Sequence, residues 1–308
     1  MNCIVLGSIN VDISLKTASL PSPGQTITAE SGGLMVGGKG LNQAVAAHRM
    51  GLNTRFVGSV GSDALGEMAL SSIKRLGLST DGISIAEQHL TGIAAIVLDA
   101  NSQNTIVLLR GANYAMREVD VDRWLPDIVR SKVMMLQMEV DHAVNLRAAR
   151  QARQNGVFVC YDPAPVGNKA DVNELLQLSD IVTPNESEAL ELTRIDPTNL
   201  DNAHAAASAL KERGARAVVI KLGSRGAYLL SDTQRMHIPP FEVPTVDTVA
   251  AGDCFNAGLS AAIVQGRPLD QCVRYGAAAG ALATTKFGGS ESAPTADDID
   301  RLLGSRLR

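Results

Sequence analysis

Short apolar runs alternate with longer amphipathic stretches along almost the whole chain, and that rhythm leaves few folds open. Residues 3–8 read as a strand and 40–50 as a helix in which Ala44, Ala46 and Ala47 permit close packing. Residues 55–59 and 64–76 repeat the pair. So do 133–137 with 141–155, 157–161 with 172–178, and 180–183 with a helix beginning at Glu186. A helix over 203–213 leads into a strand over 217–221, and the last third carries helical stretches at 252–265 and 269–285. Apolar runs of strand length between helices predict an α/β fold, with buried parallel strands feeding helices on both faces.

Two segments break the rhythm. Residues 11–36 hold Thr-Ile-Thr-Ala, Gly-Gly and the turn chemistry of Pro21-Ser-Pro-Gly. Residues 92–109 hold two β-rich runs, 93–98 and 105–109, joined by Asp99-Ala-Asn-Ser-Gln-Asn, which is a hairpin signal. Both predict strands outside the main sheet, either as a small sheet acting as a lid or as ordinary edge strands.

Composition narrows the function classes. A chain of 308 residues that is 45% hydrophobic and 19% charged can bury a large core. Twenty-eight basic against 32 acidic side chains leave a formal charge of −4, with no basic surplus for nucleic acid, although a local patch stays open. At 3%, aromatic residues are too sparse for base-stacking platforms. No apolar run approaches a membrane span, and the first residues read as a strand rather than a signal peptide. Cys3, Cys160, Cys254 and Cys272 lie far apart with no CxxC, so the expectation is reduced thiols in a cytoplasmic protein.

Several motif readings fail. Gly33-Leu-Met-Val-Gly-Gly38-Lys39-Gly40 resembles a Walker A loop until its last position, where Gly40 replaces the required Ser or Thr. A dinucleotide fingerprint from Gly38 fails at Gln43. The five histidines show no metal spacing.

Four clusters survive, each with a plain alternative. In Gly7-Ser8-Ile9-Asn10-Val11-Asp12, at the end of the first strand, Asn10 and Asp12 can meet vicinal hydroxyls; an Asx-type turn explains the same letters. In Gly37-Gly38-Lys39-Gly40-Leu41-Asn42-Gln43-Ala44, glycines before a helix admit a ligand close to the backbone, with Lys39 and Asn42 facing it; the alternative is a glycine turn. In Thr183-Pro184-Asn185-Glu186-Ser187-Glu188, Asn185 and Glu188 share a helix face and suit magnesium with its waters, or simply cap the helix. In Asp247-Thr248-Val249-Ala250-Ala251-Gly252-Asp253, small residues leave backbone N–H groups open at a helix start, which favours anions. There Asp253 is either an N-cap or a base beside an anion hole, the pairing that phosphoryl transfer needs.

Taken in order, these motifs resemble a known family. The Gly37–Ala44 segment is similar to the first signature of the ribokinase-like (PfkB-type) sugar kinases, and the Asp247–Asp253 segment to the second. Gly7-Ser8-Ile-Asn10-Val-Asp12, Met135-Leu-Gln-Met-Glu139, Thr183-Pro-Asn185-Glu-Ser-Glu188 and Leu222-Gly223-Ser224-Arg225-Gly226 match in the same order, so the resemblance spans nearly the whole chain. The Gly-Gly-Lys-Gly form and the Asn10/Asp12 pair look most like ribokinase.

The resemblance implies a single catalytic domain over 1–308, with a doubly wound, mainly parallel sheet flanked by helices and a small β-sheet lid from 11–37 and 92–113. It implies an ATP-dependent kinase acting on the primary hydroxyl of a pentose such as ribose. Asn10, Asp12, Gly38, Lys39, Asn42 and Glu139 would bind the sugar, Asp253 would be the base, and the N–H groups of Ala250, Ala251, Gly252 and Asp253 would form the anion hole. Asn185 and Glu188 would organise Mg2+ and phosphates, and Gly223, Ser224 and Gly226 would line the nucleotide site. A K+ site would use Asp247 and Ser292 with carbonyls of Val249, Ala283, Lys286 and Gly288; a plain glycine-rich loop is the alternative. The partners implied are sugar, ATP and a second copy of the chain joined through the lid, with no nucleic acid or membrane.

Two positions depart from the pattern. Lys221 stands where a threonine is usual, and a lysine there can meet nucleotide phosphates. Arg110 follows a lid strand where an uncharged residue is expected, which opens the possibility of an acidic sugar derivative. The same motifs would also suit deoxyribose or a ketohexose as substrate, or a catalytically idle sugar-binding regulator. Cys254 reads as a packing residue rather than a nucleophile.

Overall fold

The structure, a computed structural model, describes residues 1–100, 103–167 and 169–305. The first strand, β1 (Cys3–Leu6), leads into β2 (Asn10–Lys16), β3 (Ser31–Gly37), α1 (Lys39–Arg49), β4 (Thr54–Gly61), α2 (Ala64–Arg75), β5 (Ile83–Ala86), β6 (Gly92–Leu98) and β7 (Asn104–Leu109). The middle holds α3 (Leu125–Arg130), β8 (Val133–Leu136), α4 (His142–Gln154), β9 (Phe158–Tyr161), α5 (Lys169–Leu178), β10 (Ile181–Val182), α6 (Glu186–Thr193) and α7 (Leu200–Glu212). The last third holds β11 (Val218–Lys221), β12 (Ala227–Leu230), β13 (Arg235–Ile238), α8 (Ala251–Val264), α9 (Leu269–Ala283) and α10 (Ala296–Ser305).

The main sheet runs β13-β12-β11-β10-β9-β8-β1-β4-β5. Its pairs from β11 through to β5 are parallel, and β12 and β13 add an antiparallel edge. Strand periodicity divides the side chains between two cores. Cys3 and Val5 of β1, with Val133 and Met135 of β8, join one core with residues of α1, α8 and α9. Ile4 and Leu6, with Met134 and Leu136, join the other with residues of α4, α5 and α7. This two-sided burial is why these strands read as continuous apolar runs.

The segments that break the rhythm form a second sheet, ordered β3-β2-β6-β7. Its central pair, β2 with β6, is parallel and the outer pairs are antiparallel. This small second sheet is therefore mixed, and its strands are not edges of the main one. Of the expected hairpin turn, Asn101 and Ser102 lie outside the described residues. Three strands of the main sheet are not predicted from the sequence. β5 and β12 are runs of only four residues, and β13 is four residues alternating polar with apolar, so each is too short to stand out as a strand.

Candidate active site

The ends of β1, β8, β9 and β11 meet on one side of the main sheet, where open α/β folds bind ligands. Two glycines let α1 start against the end of β1. Gly38 has φ +101°, and a Cβ on it would lie 2.8 Å from the Ser8 carbonyl oxygen. A Cβ on Gly40 would lie 2.4 Å from the Gly7 carbonyl carbon. At this junction the Glu139 carboxylate accepts from the Ser8 hydroxyl and, at 3.2 Å, from the Lys39 amide.

Asn10 and Asp12 lie in β2, in strand rather than in an Asx turn. The Asn10 side-chain oxygen accepts from Asn113 Nδ2 at 2.8 Å, and Asn113 also pairs with both main-chain groups of Ile9. Burial and the nearby Glu139 charge push the Asp12 carboxyl up to about 6. Burial works against the Lys39 ammonium, but Asp253, Asp162, Glu139 and Glu188 together hold its pKa above the ordinary lysine value.

Asp253 is not the N-cap of its helix. That position belongs to Ala250, whose left-handed φ of +60° turns the chain into α8, and among the described residues no side chain of the N-cap satisfies the first N–H groups. The Asp253 side chain turns instead toward α1. Its Oδ2 accepts from Asn42 Nδ2 at 3.0 Å and its Oδ1 from Gln43 Nε2 at 3.1 Å. The residue is only 6% exposed. Burial raises its pKa, Lys39 opposes the rise and Asp162 adds to it, giving about 6. A carboxylate held there by two amides remains ionised at neutral pH and can accept a proton.

On the opposite flank, Lys221 closes β11 and its amide donates to the Pro184 carbonyl at 2.8 Å, so Asn185 lies beside it. Asn185 and Glu188 form a reciprocal capping box. The Asn185 amide and side chain donate to Glu188 at 2.7 and 2.8 Å, and the Glu188 amide returns a bond at 2.9 Å. Gly223, Ser224 and Arg225 make a one-turn 3-10 helix after β11, closed by Gly226. The Lys221 ammonium lies 3.1 Å from Asp162 Oδ1.

Asp247 ties the turn before α8 to the glycine-rich loop after α9, accepting from the amides of Val249 and Gly288, each at 3.1 Å. The buried Ser292 hydroxyl donates to the Gly289 carbonyl at 2.8 Å. Ala283 and Lys286 stand at the start of the same loop, where the Lys286 amide meets the Ala283 carbonyl at 3.4 Å. Arg110 lies with its guanidinium 4.5 Å from the Tyr114 ring centroid. Cys254 is fully buried with its thiol pKa pushed up by burial, which makes it a packing residue.

Three residues of the site are not predicted from the sequence. Gln43 reads there as a mismatch to a dinucleotide fingerprint, although its place next to Asn42 on one helix face is a usable signal. Asp162 has a weaker one, a polar residue immediately after a buried strand. Asn113 has none, because its partner Asn10 is 103 positions away.

Known proteins share this architecture. The pfkB family carbohydrate kinase profile matches residues 1–296. The chain is 37% identical to ribokinase of Haemophilus influenzae over 299 residues, 97% of each protein. It is 29% identical to deoxyribokinase of Salmonella typhi, covering 98% of this chain and 99% of the other. Among solved structures, Arabidopsis thaliana ribokinase complexed with ribose and ATP superposes with a TM-score of 0.90 at 32% identity, covering 98% of both chains. A match over almost the full length, on a fold that brings both signatures to one site, makes the chain a member of the pfkB family of carbohydrate kinases.

Proposed function

We propose that the protein transfers the γ-phosphoryl group of ATP to the primary hydroxyl of ribose, giving ribose 5-phosphate. The observation that carries this reading is Asp253, an ionisable carboxylate held by Asn42 and Gln43 beside a helix start that lacks a side-chain cap. Asp253 takes the hydroxyl proton, and the N–H groups of Ala250, Gly252 and Asp253 receive the charge that develops on phosphate, joined by that of Ala251 once it leaves the Thr248 carbonyl, to which it donates at 3.3 Å. Asn10, Asp12, Gly38, Lys39, Asn42 and Glu139 hold the sugar hydroxyls. Asn42 Oδ1 supports this role, being buried with no hydrogen-bond partner among the described residues, which suits a hydroxyl donor.

ATP lies along Asn185, Lys221, Gly223, Ser224 and Gly226. Asn185 and Glu188 would organise magnesium and the phosphates, partly through water, and the ion would offset charge on the phosphates. The donor set fits this arrangement, since a carboxylate and an amide lie together at Glu188 and Asn185, oxygen donors suited to magnesium and its waters. Potassium fits the loop that Asp247 closes, with Ser292 and carbonyls of Val249, Ala283, Lys286 and Gly288 as oxygen donors. Potassium should then raise activity above sodium at equal ionic strength, and equal rates in the two salts count against that site.

A second copy covers the lid. Leu34, Ile106 and Val107 there are each more than half exposed, an apolar surface that suits a partner. A monomeric mass in solution excludes the dimer. Four buried free thiols suit a cytoplasmic setting. The deciding experiment is a coupled ADP-release assay over ribose, 2-deoxyribose, ketohexoses and acidic sugars. Absence of turnover with every sugar, despite measurable sugar binding, would establish the idle-regulator reading instead.

A further inference from the structure

Catalysis by Asp253 leaves the neighbouring ion pair unexplained. Lys221 and Asp162 have side chains only 13% and 3% exposed, with Nζ and Oδ1 3.1 Å apart. Asp162 is well anchored, its Oδ2 accepting from Asn256 Nδ2 at 2.9 Å and from Gln43 Nε2 at 3.4 Å. A Cβ on Gly252 would lie 3.3 Å from the Lys221 Nζ, so the ammonium rests against the second residue of α8.

That is a poor place for a cation if the pair serves only stability. A helix start carries partial positive charge, and a buried ion pair rarely outweighs the desolvation of its two members. Glu188 adds a negative charge near Lys221 but is itself engaged with Asn185, so a further negative group at the helix start changes the balance. Among the described residues Nζ has one hydrogen-bond acceptor, Asp162, and an ammonium carries three donors. The Ala251 amide donates to the Thr248 carbonyl at 3.3 Å, and the remaining Lys221 donors lie beside the N–H groups of Gly252 and Asp253 at the start of α8.

We propose that Lys221 is a further catalytic residue that contacts the transferring phosphoryl group, and that Asp162 is the positioning residue that holds its ammonium there. The inference rests on the kinase reading above. In the step itself the sugar hydroxyl oxygen forms a bond to the γ-phosphorus. The bond from that phosphorus to the bridging oxygen breaks, with its electron pair leaving on ADP, and the hydroxyl proton goes to Asp253. Lys221 transfers no proton; its charge offsets the negative charge on the phosphoryl oxygens, and Asp162 keeps it from swinging away.

The test compares wild type, Lys221→Met and the double variant Lys221→Met/Asp162→Asn, using ribose, ATP and magnesium. The measurements are kcat, KM for each substrate and the melting temperature. Lys221→Met is expected to lower kcat about 10²–10³-fold, the loss seen when one transition-state donor is removed, with KM for ribose little changed. It also leaves Asp162 buried without its cation, so its melting temperature falls. The double variant removes that stranded charge and should recover melting temperature while kcat stays low. Recovery of kcat together with stability, or a rise in KM for ATP with kcat unchanged, overturns the inference alone. A wild-type protein that phosphorylates no sugar overturns the kinase reading and this inference with it.

Discussion

Gln43 Nε2 lies 3.1 Å from Oδ1 of Asp253, joining a helix near one end of the chain to a carboxylate 210 positions later. Asn42, the residue before it, holds the other oxygen at 3.0 Å. Consecutive amides thus fix both carboxylate oxygens, and each oxygen keeps a lone pair for a proton. The orientation of the base is set by α1, the same helix whose first turn carries Lys39.

If Asp253 is the base, Asp253→Asn should retain ribose and ATP binding and lose turnover by roughly 10²–10⁴-fold, the usual worth of general-base catalysis. Calorimetry would follow binding, and the coupled assay turnover. Undiminished kcat would remove Asp253 from the role.

Burial pushes both Asp253 and Asp12 up to about 6, well above the ordinary aspartate value. Ionised carboxylates are needed, so kcat/KM should fall as pH drops through about 6, with a limb steeper than one proton. Asp12→Asn should reduce the limb to a single proton. For stability the sign is opposite. A carboxyl whose folded pKa is raised contributes stability that is full below its unfolded value and lost as pH rises through the folded one. Between pH 5 and 7 the melting temperature of wild type should therefore drop relative to that of Asp253→Asn.

Gly40→Ala tests the junction between β1 and α1. Its new Cβ would lie 2.4 Å from the Gly7 carbonyl carbon, with backbone on both sides and no flexible side chain to give way. The expected cost is ~1–3 kcal/mol or more of stability, read as a lower denaturation midpoint. Sugar affinity should weaken with it, because Lys39 and Asn42 ride on the displaced helix. A neutral result would show that the close approach is not required.

Arg110 should not select the sugar. Its guanidinium stacks on Tyr114 at 4.5 Å, and the residue is exposed. Arg110→Ala should change ribose kcat/KM by less than about fivefold, which corresponds to ~1 kcal/mol. Removing a sugar hydroxyl should matter more, because a buried acceptor such as Asn42 Oδ1 would go unpaired at ~1–3 kcal/mol. Ribose is therefore expected to surpass 2-deoxyribose. Negligible ribose turnover, with strong activity on an acidic sugar that disappears in Arg110→Ala, would instead make Arg110 the residue that selects the sugar and overturn the ribose reading.

Much of this protein is legible in order along the chain. Burial on both faces of the sheet writes continuous apolar runs into β1, β8 and β11, and turn residues mark where the strands of the second sheet leave that pattern. The two glycine-rich signatures can be read because backbone proximity needs small residues at specific positions, and that requirement is local. Where an element is too short or too polar to bury an apolar face, as in β5 and β13, there is no pattern to read.

Pairings between distant residues were decided by the tertiary structure. Residue letters leave Asp253 open as a helix cap; the left-handed turn at Ala250 moves the cap three residues earlier and frees the carboxylate to face α1. They leave Asn185 and Glu188 open too, and there the capping box forms. Gln43, Asn113 and Asp162 acquire meaning only from partners about a hundred or more positions away, or in Asp162's case also from Lys221 on another strand. Hydrogen bonds need contact at about 3 Å and charge interactions are screened over roughly 10 Å, so their partners depend on where the folded backbone brings side chains together. Local sequence encodes which elements form; the packing of those elements chooses which polar groups meet.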